Sequence, residues 1–330
     1  MSSFTLGLIT NRNAGLRGGS VEDCRRALGD TLQVEHVITS SSLELSAALA
    51  RLASRNVSIL AVNGGDGTLQ HVLTRMLTDR VFQQLPAIAP LPGGRTNMSA
   101  ADLNCSKTPA MALTSLRKAI ETGAIQERYV RRHVLRIDSE DDGNSQFGMF
   151  FGLGVIQRAL ELKHQYYPKK RLQGLWGAGL FLAASLLRIG VGGCGGIFTP
   201  DEIGIFSEKE QPAGADVCVG PNMNPYQVVM ATTLNRLLFG ISPFWGGERG
   251  NLRFTAISAA ASRNPLVVCR VLRGRSPANP DFELGYRSFN AQRLRLRLDC
   301  GFTIDGELFK SEPGRTLRLS TDDRIQFVRA

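Results

Sequence analysis

Residues Val57–Leu69 read VSILAVNGGDGTL, and this stretch decides how the first part of the chain folds. The apolar run Val57–Asn63 fits a buried strand of a parallel sheet. It passes without a linker into Gly64-Gly65-Asp66-Gly67-Thr68 and then into a helical pattern, TLQHVLTRML. Glycines at a strand-to-helix turn let backbone N–H groups approach an anion closely, and the helix N-terminus that follows favours negative charge. An acid inside such a loop repels phosphate by itself. It makes sense where it engages a magnesium ion or accepts a proton from an attacking hydroxyl. The bland alternative is a turn with a capping Asp, for which three glycines around one acid are unusually rich.

Working outward, the same alternation recurs on both sides. FTLGLIT ends at Asn11 and opens into the turn NRNAGLRGG, followed by a helical stretch Val21–Leu32, a strand Val34–Ile38 and a helix from about Ser42. Downstream, Pro86–Leu91 reads as a strand that runs into Pro92-Gly93-Gly94-Arg95-Thr96-Asn97. Thr108 then caps a helix with Pro109 in its first turn, ending at Gly123. Repeated β–α alternation predicts a doubly wound parallel sheet, an α/β domain over residues 1–128. In such a sheet the loops after successive strands gather at the carboxyl edge, the usual ligand crevice. Three turns, after Asn11, Asn63 and Leu91, therefore converge as phosphate or nucleotide contacts.

Residues 129–312 read differently. Tyr129–Ile137, Gln146–Phe151, Tyr226–Thr232, Leu252–Ala256 and Leu266–Leu272 have the look of β-strands, punctuated by Gly and Pro. In RLRLRLD, Arg293–Asp299, period 2 places three leucines on one face and Arg293, Arg295 and Arg297 on the other. The expectation is a mainly β second domain, interrupted by a helical region Leu162–Ile189, with the tail 313–330 able to return to the first domain. LQGLWGAGLFLAASLL, between Arg171 and Arg188, is too short to span a bilayer and reads as a buried helix or one lining a lipid pocket. Six scattered cysteines without a C-x-x-C pair, and an N-terminus without a basic leader, point to a cytoplasmic protein. His71, on the helix after GGDGT, fits packing better than a ligand role, and the other histidines have no partners at metal spacing.

NGGDGT followed by LPGGRTN resembles the diacylglycerol kinase catalytic-domain family, which includes bacterial soluble lipid kinases and the sphingosine and ceramide kinases. NRNAG is similar to that family's opening turn, and Asp305-Gly306-Glu307 to its Asp-Gly-Glu motif. The resemblance implies an N-terminal α/β nucleotide-binding domain and a C-terminal β-sandwich domain with the active site between them, and ATP·Mg2+-dependent transfer of the γ-phosphate to a lipid hydroxyl. By position it assigns Asn11, Thr39, Gly64, Gly65, Asp66, Gly67, Thr68, Gly94 and Asn97 to ATP. It assigns Asp66 to Mg2+ and to hydroxyl activation, and Glu307, with Asp305 beside it, to proton acceptance. Taken alone, Asp-Gly is also a strong hairpin dipeptide. The second loop departs from the family's Gly-Thr-x-Asn-Asp: Gly94-Arg95-Thr96-Asn97-Met98 lacks its final Asp, for which Asp102 is a nearby substitute. Glu248–Phe254, ERGNLRF, likewise departs from the family's Asp-Gly-Leu-Leu.

A NAD kinase-like enzyme and a non-catalytic lipid- or nucleotide-binding regulator stand as alternatives. The net charge of +10 comes from 39 basic and 29 acidic residues, with 32 of the basic ones Arg. That bias fits phosphate recognition or a GC-rich genome equally. No nucleic-acid motif is present. Within residues 251–330, 14 basic residues face 8 acidic ones. The Arg293/Arg295/Arg297 face and the Arg270/Arg273/Arg275 cluster suggest reversible contact with an anionic membrane surface. Self-association is left open.

Overall fold

Leu6, Leu8, Ile59, Ala61, Ala87 and Ala89 are at most 5% exposed, and they lie on one face of a sheet built from the segments read as strands. The computed structural model describes residues 5–14, 20–29, 33–105, 107–166, 196–208, 217–218, 223–262, 264–277 and 285–330. It divides into two units, one comprising Met1–His133 with Arg324–Ala330 and the other Val134–Asp323.

The first unit runs β1 (Leu6–Asn11), α1 (Val21–Leu28), β2 (Val34–Thr39), α2 (Ser42–Ser54), β3 (Ile59–Gly64), α3 (Asp66–Thr78), β4 (Ala87–Pro92), α4 (Met98–Asp102), α5 (Pro109–Glu121) and β5 (Tyr129–His133). The chain returns to it at the end with β18 (Arg324–Val328). Strand order is β2-β1-β3-β4-β18-β5, parallel except for the antiparallel β18–β5 pair. Helices α1 and α5 share a core with one face of the sheet through Cys24, Leu28, Leu113 and Leu116. On the other face Gly7 lies against Leu52 of α2, where a Cβ would come within 3.0 Å of that leucine. Helices on both faces make the sheet doubly wound. The connections turn opposite ways after β1 and β3, so the crevice of an open α/β sheet falls between Asn11 and Gly64.

The boundary falls at His133 rather than at 128, because β5 takes its hydrogen bonds from β18. The second unit holds β6 (Leu135–Ser139), β7 (Ser145–Gly148), β8 (Phe150–Gly154), α6 (Val155–Tyr166), β9 (Asp201–Glu208), β10 (Val217–Cys218), β11 (Asn224–Thr232), β12 (Leu252–Ser258), α7 (Pro265–Leu272), β13 (Tyr286–Ala291), β14 (Arg293–Leu298), β15 (Phe302–Ile304), β16 (Glu307–Phe309) and β17 (Arg315–Ser320). Among the described residues, twelve strands form one antiparallel hydrogen-bonded network, branched at β9 and β11. Strands from both ends of the network, β6 and β15, place Leu135, Ile137, Phe302 and Ile304 in the same core cluster. On β14 the predicted alternation holds, with Leu294, Leu296 and Leu298 fully buried. Residues 313–320 stay in this unit, since β17 pairs with β14 and β6.

Tyr129–Ile137, read as one strand, is split at Val134 into β5 and β6 in different sheets, and Gln146–Phe151 falls across β7 and β8. Leu266–Leu272, expected as a strand, is helix α7. A mostly apolar run of this length fits either state, and what decides it lies just upstream. Asn264 caps the helix by accepting the Leu266 N–H at 2.9 Å, and Pro265 occupies the first turn. The apolar run 172–187 and most of the expected helical region Leu162–Ile189 lie outside the described residues.

Candidate functional site

The carboxyl edge of the first sheet is built by four turns that hold one another. β1 and β2 end in register, Asn11 opposite Thr39, and the Arg12 N–H donates to the Thr39 carbonyl at 2.9 Å. Glu44 takes the Ser40 N–H and hydroxyl at 2.6 and 2.8 Å while Ser41 caps α2, which fixes the turn after Thr39. Those hydrogen bonds hold the Glu44 carboxyl below its ordinary range. The Asn11 amide crosses the switch point and donates to Thr68 Oγ1 at 2.8 Å.

Glycine is required where the loops meet. A Cβ on Gly64 would lie 2.5 Å from the Thr68 Cβ, and one on Gly94 would lie 2.2 Å from the Gly65 Cα. The two glycine loops therefore touch backbone to backbone. Asn97, in the left-handed region at φ 51°, closes the second loop on itself. Its Oδ1 accepts the Gly94 N–H at 2.7 Å, and its amide donates to the Gly94 carbonyl at 3.0 Å.

Asp66 is the tie between the loops. It is 5% exposed, at the first turn of α3. Its Oδ2 accepts the Thr96 hydroxyl at 2.8 Å and the Met98 N–H at 3.0 Å, and its Oδ1 accepts the Ser99 N–H at 2.9 Å. Three of the roughly four lone-pair directions of a carboxylate are thus filled. Gly65, at the N-cap of α3, supplies no side-chain cap, which leaves the first amides of that helix to a ligand. Thr96, Met98 and Ser99 were missed by sequence reasoning, because nothing local signals that their donors turn toward an acid some thirty residues upstream. Asp102 does not substitute for the missing second-loop Asp: it is buried and ion-paired with Arg132 on β5. Arg95 is exposed, and His71 is half-buried on α3.

Behind the loops, Asn63 is fully buried and donates to Cys24 Sγ at 3.3 Å. Burial, with Asp23 nearby, pushes the Cys24 thiol up to about 11. His36 bonds Thr10 Oγ1 at 2.9 Å, and burial, reinforced by Arg25, lowers its pKa below the ordinary 6.5.

In the second unit, Asp305-Gly306 is the two-residue turn of the β15–β16 hairpin, with Ile304 opposite Glu307. Both turn residues have positive φ, 50° and 90°, as a type I′ turn demands. Asp305 is 5% exposed, and its two oxygens accept the Met149 and Phe150 N–H groups at 2.9 Å each. Its own N–H donates to the Phe150 carbonyl. The carboxylate thus clamps the hairpin to β8 and holds Glu307, half-buried, at the start of β16. Glu248 of the divergent ERGNLRF segment accepts the Asn290 N–H at 3.0 Å. Among the described residues no group of three or more His, Cys, Asp or Glu side chains could hold a metal ion.

The connected set Asn11, Thr39, Gly64–Thr68, Gly94 and Asn97 lies within a stretch that matches a known family. Residues 5–126 match the diacylglycerol kinase catalytic domain. That match bears out the resemblance carried by NGGDGT and LPGGRTN. Solved structures from Bacillus anthracis str. Sterne cover the chain at greater length. One, described provisionally as a diacylglycerol kinase, is 14% identical with a TM-score of 0.65. Another, named as a diacylglycerol kinase, is 12% identical with a TM-score of 0.59, and a third, again provisional in name, is 15% identical with a TM-score of 0.64. In each case 99% of this chain aligns with 97% of the other. At such identities the likeness establishes the shared two-part fold. No curated protein matches the chain.

Proposed function

We propose that the protein is a lipid kinase that transfers the γ-phosphate of ATP to a hydroxyl of a membrane lipid, of diacylglycerol or ceramide/sphingoid type. One observation carries this reading. Two glycine loops meet backbone to backbone at the switch point of a parallel sheet, beside an uncapped helix N-terminus, within the segment that matches the kinase domain. Phosphoryl transfer asks of a protein mainly in-line positioning and neutralisation of phosphate charge. Backbone amides of Gly64–Thr68 and Gly94, with Asn11 and Asn97, would bind and orient the polyphosphate.

The donor set fits magnesium only as an ion carried in by ATP, since the described residues form no carboxylate cage and Asp66 has about one acceptor direction left. Bound in that way, Mg2+ would neutralise developing phosphate charge. Asp66 acts chiefly by keeping the loops in register, and its part in hydroxyl activation is secondary because its oxygens are already engaged. Glu307 is the proposed proton acceptor for the lipid hydroxyl, held in place by the Asp305 clamp.

The test is ATP phosphotransfer against micelles of diacylglycerol, ceramide, sphingosine and monoacylglycerol, with products identified by mass. A phosphorylated lipid from at least one acceptor, lost in folded Asp66→Ala and Glu307→Gln proteins, is expected. No lipid product, together with robust NADP formation from NAD and ATP, would overturn the reading.

A further inference from the structure

The arginine face of β14 suggested a membrane contact, but ion pairs engage two of its three arginines and their neighbours on adjoining strands. Arg293 pairs with Asp322 at 3.1 Å, Arg295 with Glu140 at 3.0 Å, and Arg315 on the adjacent strand with Asp142 at 3.3 Å. Arg136 on the next strand pairs with Asp138 at 2.8 Å. A very different surface lies around α7. The described residues between 233 and 277 carry six arginines and a single carboxylate, Glu248. Among the described residues, Arg249, Arg270, Arg273 and Arg275 enter no ion pair.

The same lobe exposes apolar side chains. Leu266, at the start of α7, is 76% exposed, while Val267 and Val271 on the opposite side of the helix are buried against Tyr286 and Trp245. Phe239 is 50% exposed at the tip of a tight turn closed by the Leu237 N–H to the Ile241 carbonyl at 2.8 Å. The turn joins the end of α7 through the Ser242 N–H, which donates to the Leu272 carbonyl at 3.2 Å. Phe239 has φ 59°, a left-handed conformation that sterically disfavours a bulky side chain. A strained backbone that holds an aromatic ring half in solvent points to something outside the chain.

We propose that the Leu237–Ser242 turn and α7 form a docking surface for an anionic bilayer, with Phe239 and Leu266 entering the interface and Arg270, Arg273 and Arg275 meeting lipid phosphates. The choice of occupant follows from charge: apolar tips set among arginines, with one acid in the lobe, complement an apolar layer under a negative headgroup plane. The proposal rests on the lipid-kinase reading for its purpose, since the acceptor lipid must be reached in its membrane. Its physical basis is independent of that reading.

The test is co-sedimentation of the full chain with vesicles of phosphatidylcholine alone and with phosphatidylglycerol added, at two salt concentrations. Binding that needs the anionic lipid and falls with salt is expected. Triple Arg→Gln at 270, 273 and 275 should lower partitioning on the order of 100-fold, roughly fivefold per arginine. Phe239→Asn with Leu266→Gln should lower it at least about tenfold while leaving thermal stability equal or higher, because Asn accepts the left-handed backbone. Triple Arg→Gln at 293, 295 and 297 should leave binding unchanged. Loss of binding with that last variant but not with the α7 variants would overturn the proposal, as would binding indifferent to anionic lipid. So would a wild-type dimer that Phe239→Asn/Leu266→Gln makes monomeric, since the surface would then join two copies. If vesicle binding follows this pattern yet no lipid is phosphorylated in micelles, the kinase reading fails and the docking surface stands. Micellar phosphotransfer without vesicle binding would sink the docking surface and leave the kinase reading intact.

Discussion

Gly94→Ala tests the loop junction most directly. The new methyl would lie 2.2 Å from the Gly65 Cα and 2.9 Å from both Gly65 N and Asn97 Oδ1. Ordinary contact begins near 3.4 Å, so the loops must part by about 1.2 Å, and the nearest obstacle is backbone that no rotamer change can remove. Gly94 lies outside the left-handed region, so alanine's backbone is admissible there and the effect is steric alone. Overpacking of this kind costs about 1–3 kcal/mol of stability. Misplacing a phosphate cradle by about 1 Å costs on the order of 100-fold in rate, or about 2.7 kcal/mol in the transition state. The assay is the initial rate of label transfer from γ-labelled ATP to diacylglycerol in mixed micelles, with melting followed in parallel. Gly247→Ala, where the added methyl meets nothing within 4 Å, is the matched control and should match wild type in both readouts. A Gly94→Ala protein with kcat/KM within about threefold of wild type and unchanged melting would refute the geometry of the junction.

Three further outcomes follow from buried polar groups. Asp305→Ala leaves the Met149 and Phe150 amides without their acceptor and should cost about 2–6 kcal/mol in urea unfolding, at 1–3 per amide; Asp305→Asn should recover only part, and a loss under about 0.5 kcal/mol would show the clamp to be dispensable. Arg132→Ala strands the buried Asp102 carboxylate and should cost about 3–5 kcal/mol; an Arg132→Ala/Asp102→Ala double variant should be less damaged than the single, and simple additivity in a double-mutant cycle would argue against the pair. His36 has its folded pKa below 6.5, so below pH 6.5 the unfolded chain binds the proton more readily and stability falls as pH drops. Melting at pH 7.5 and 5.5 should therefore show a larger acid loss for wild type than for His36→Gln, and equal losses would exclude His36 as a cause.

Much of the first unit was legible because its signals are local. A strand that must be apolar, glycines that must let backbones approach, and a capped helix start at Thr108-Pro109 each occupy a few consecutive residues. RLRLRLD was legible for the same reason, since period 2 alone divides its faces. Leu266–Leu272 was misread because an apolar run has no period of its own, and the deciding cap at Asn264 is a single side chain.

What sequence could not supply is the pairing of distant groups. Asp66 was legible as an acid in a glycine loop, yet only the fold turns its oxygens onto Thr96, Met98 and Ser99 and makes it a tie between two loops. Asp102 looked available for magnesium until β5 brought Arg132 against it. The arginines of β14 and those on and just after α7 look alike as letters, but turns beside β14 bring Asp322 and Glu140 to Arg293 and Arg295, while among the described residues no carboxylate pairs with Arg270, Arg273 or Arg275. Residue type and spacing determined which chemistry this chain can hold. Tertiary structure decided which of those groups are already occupied by one another, because a charge or a lone pair engaged across the fold is no longer offered to a ligand.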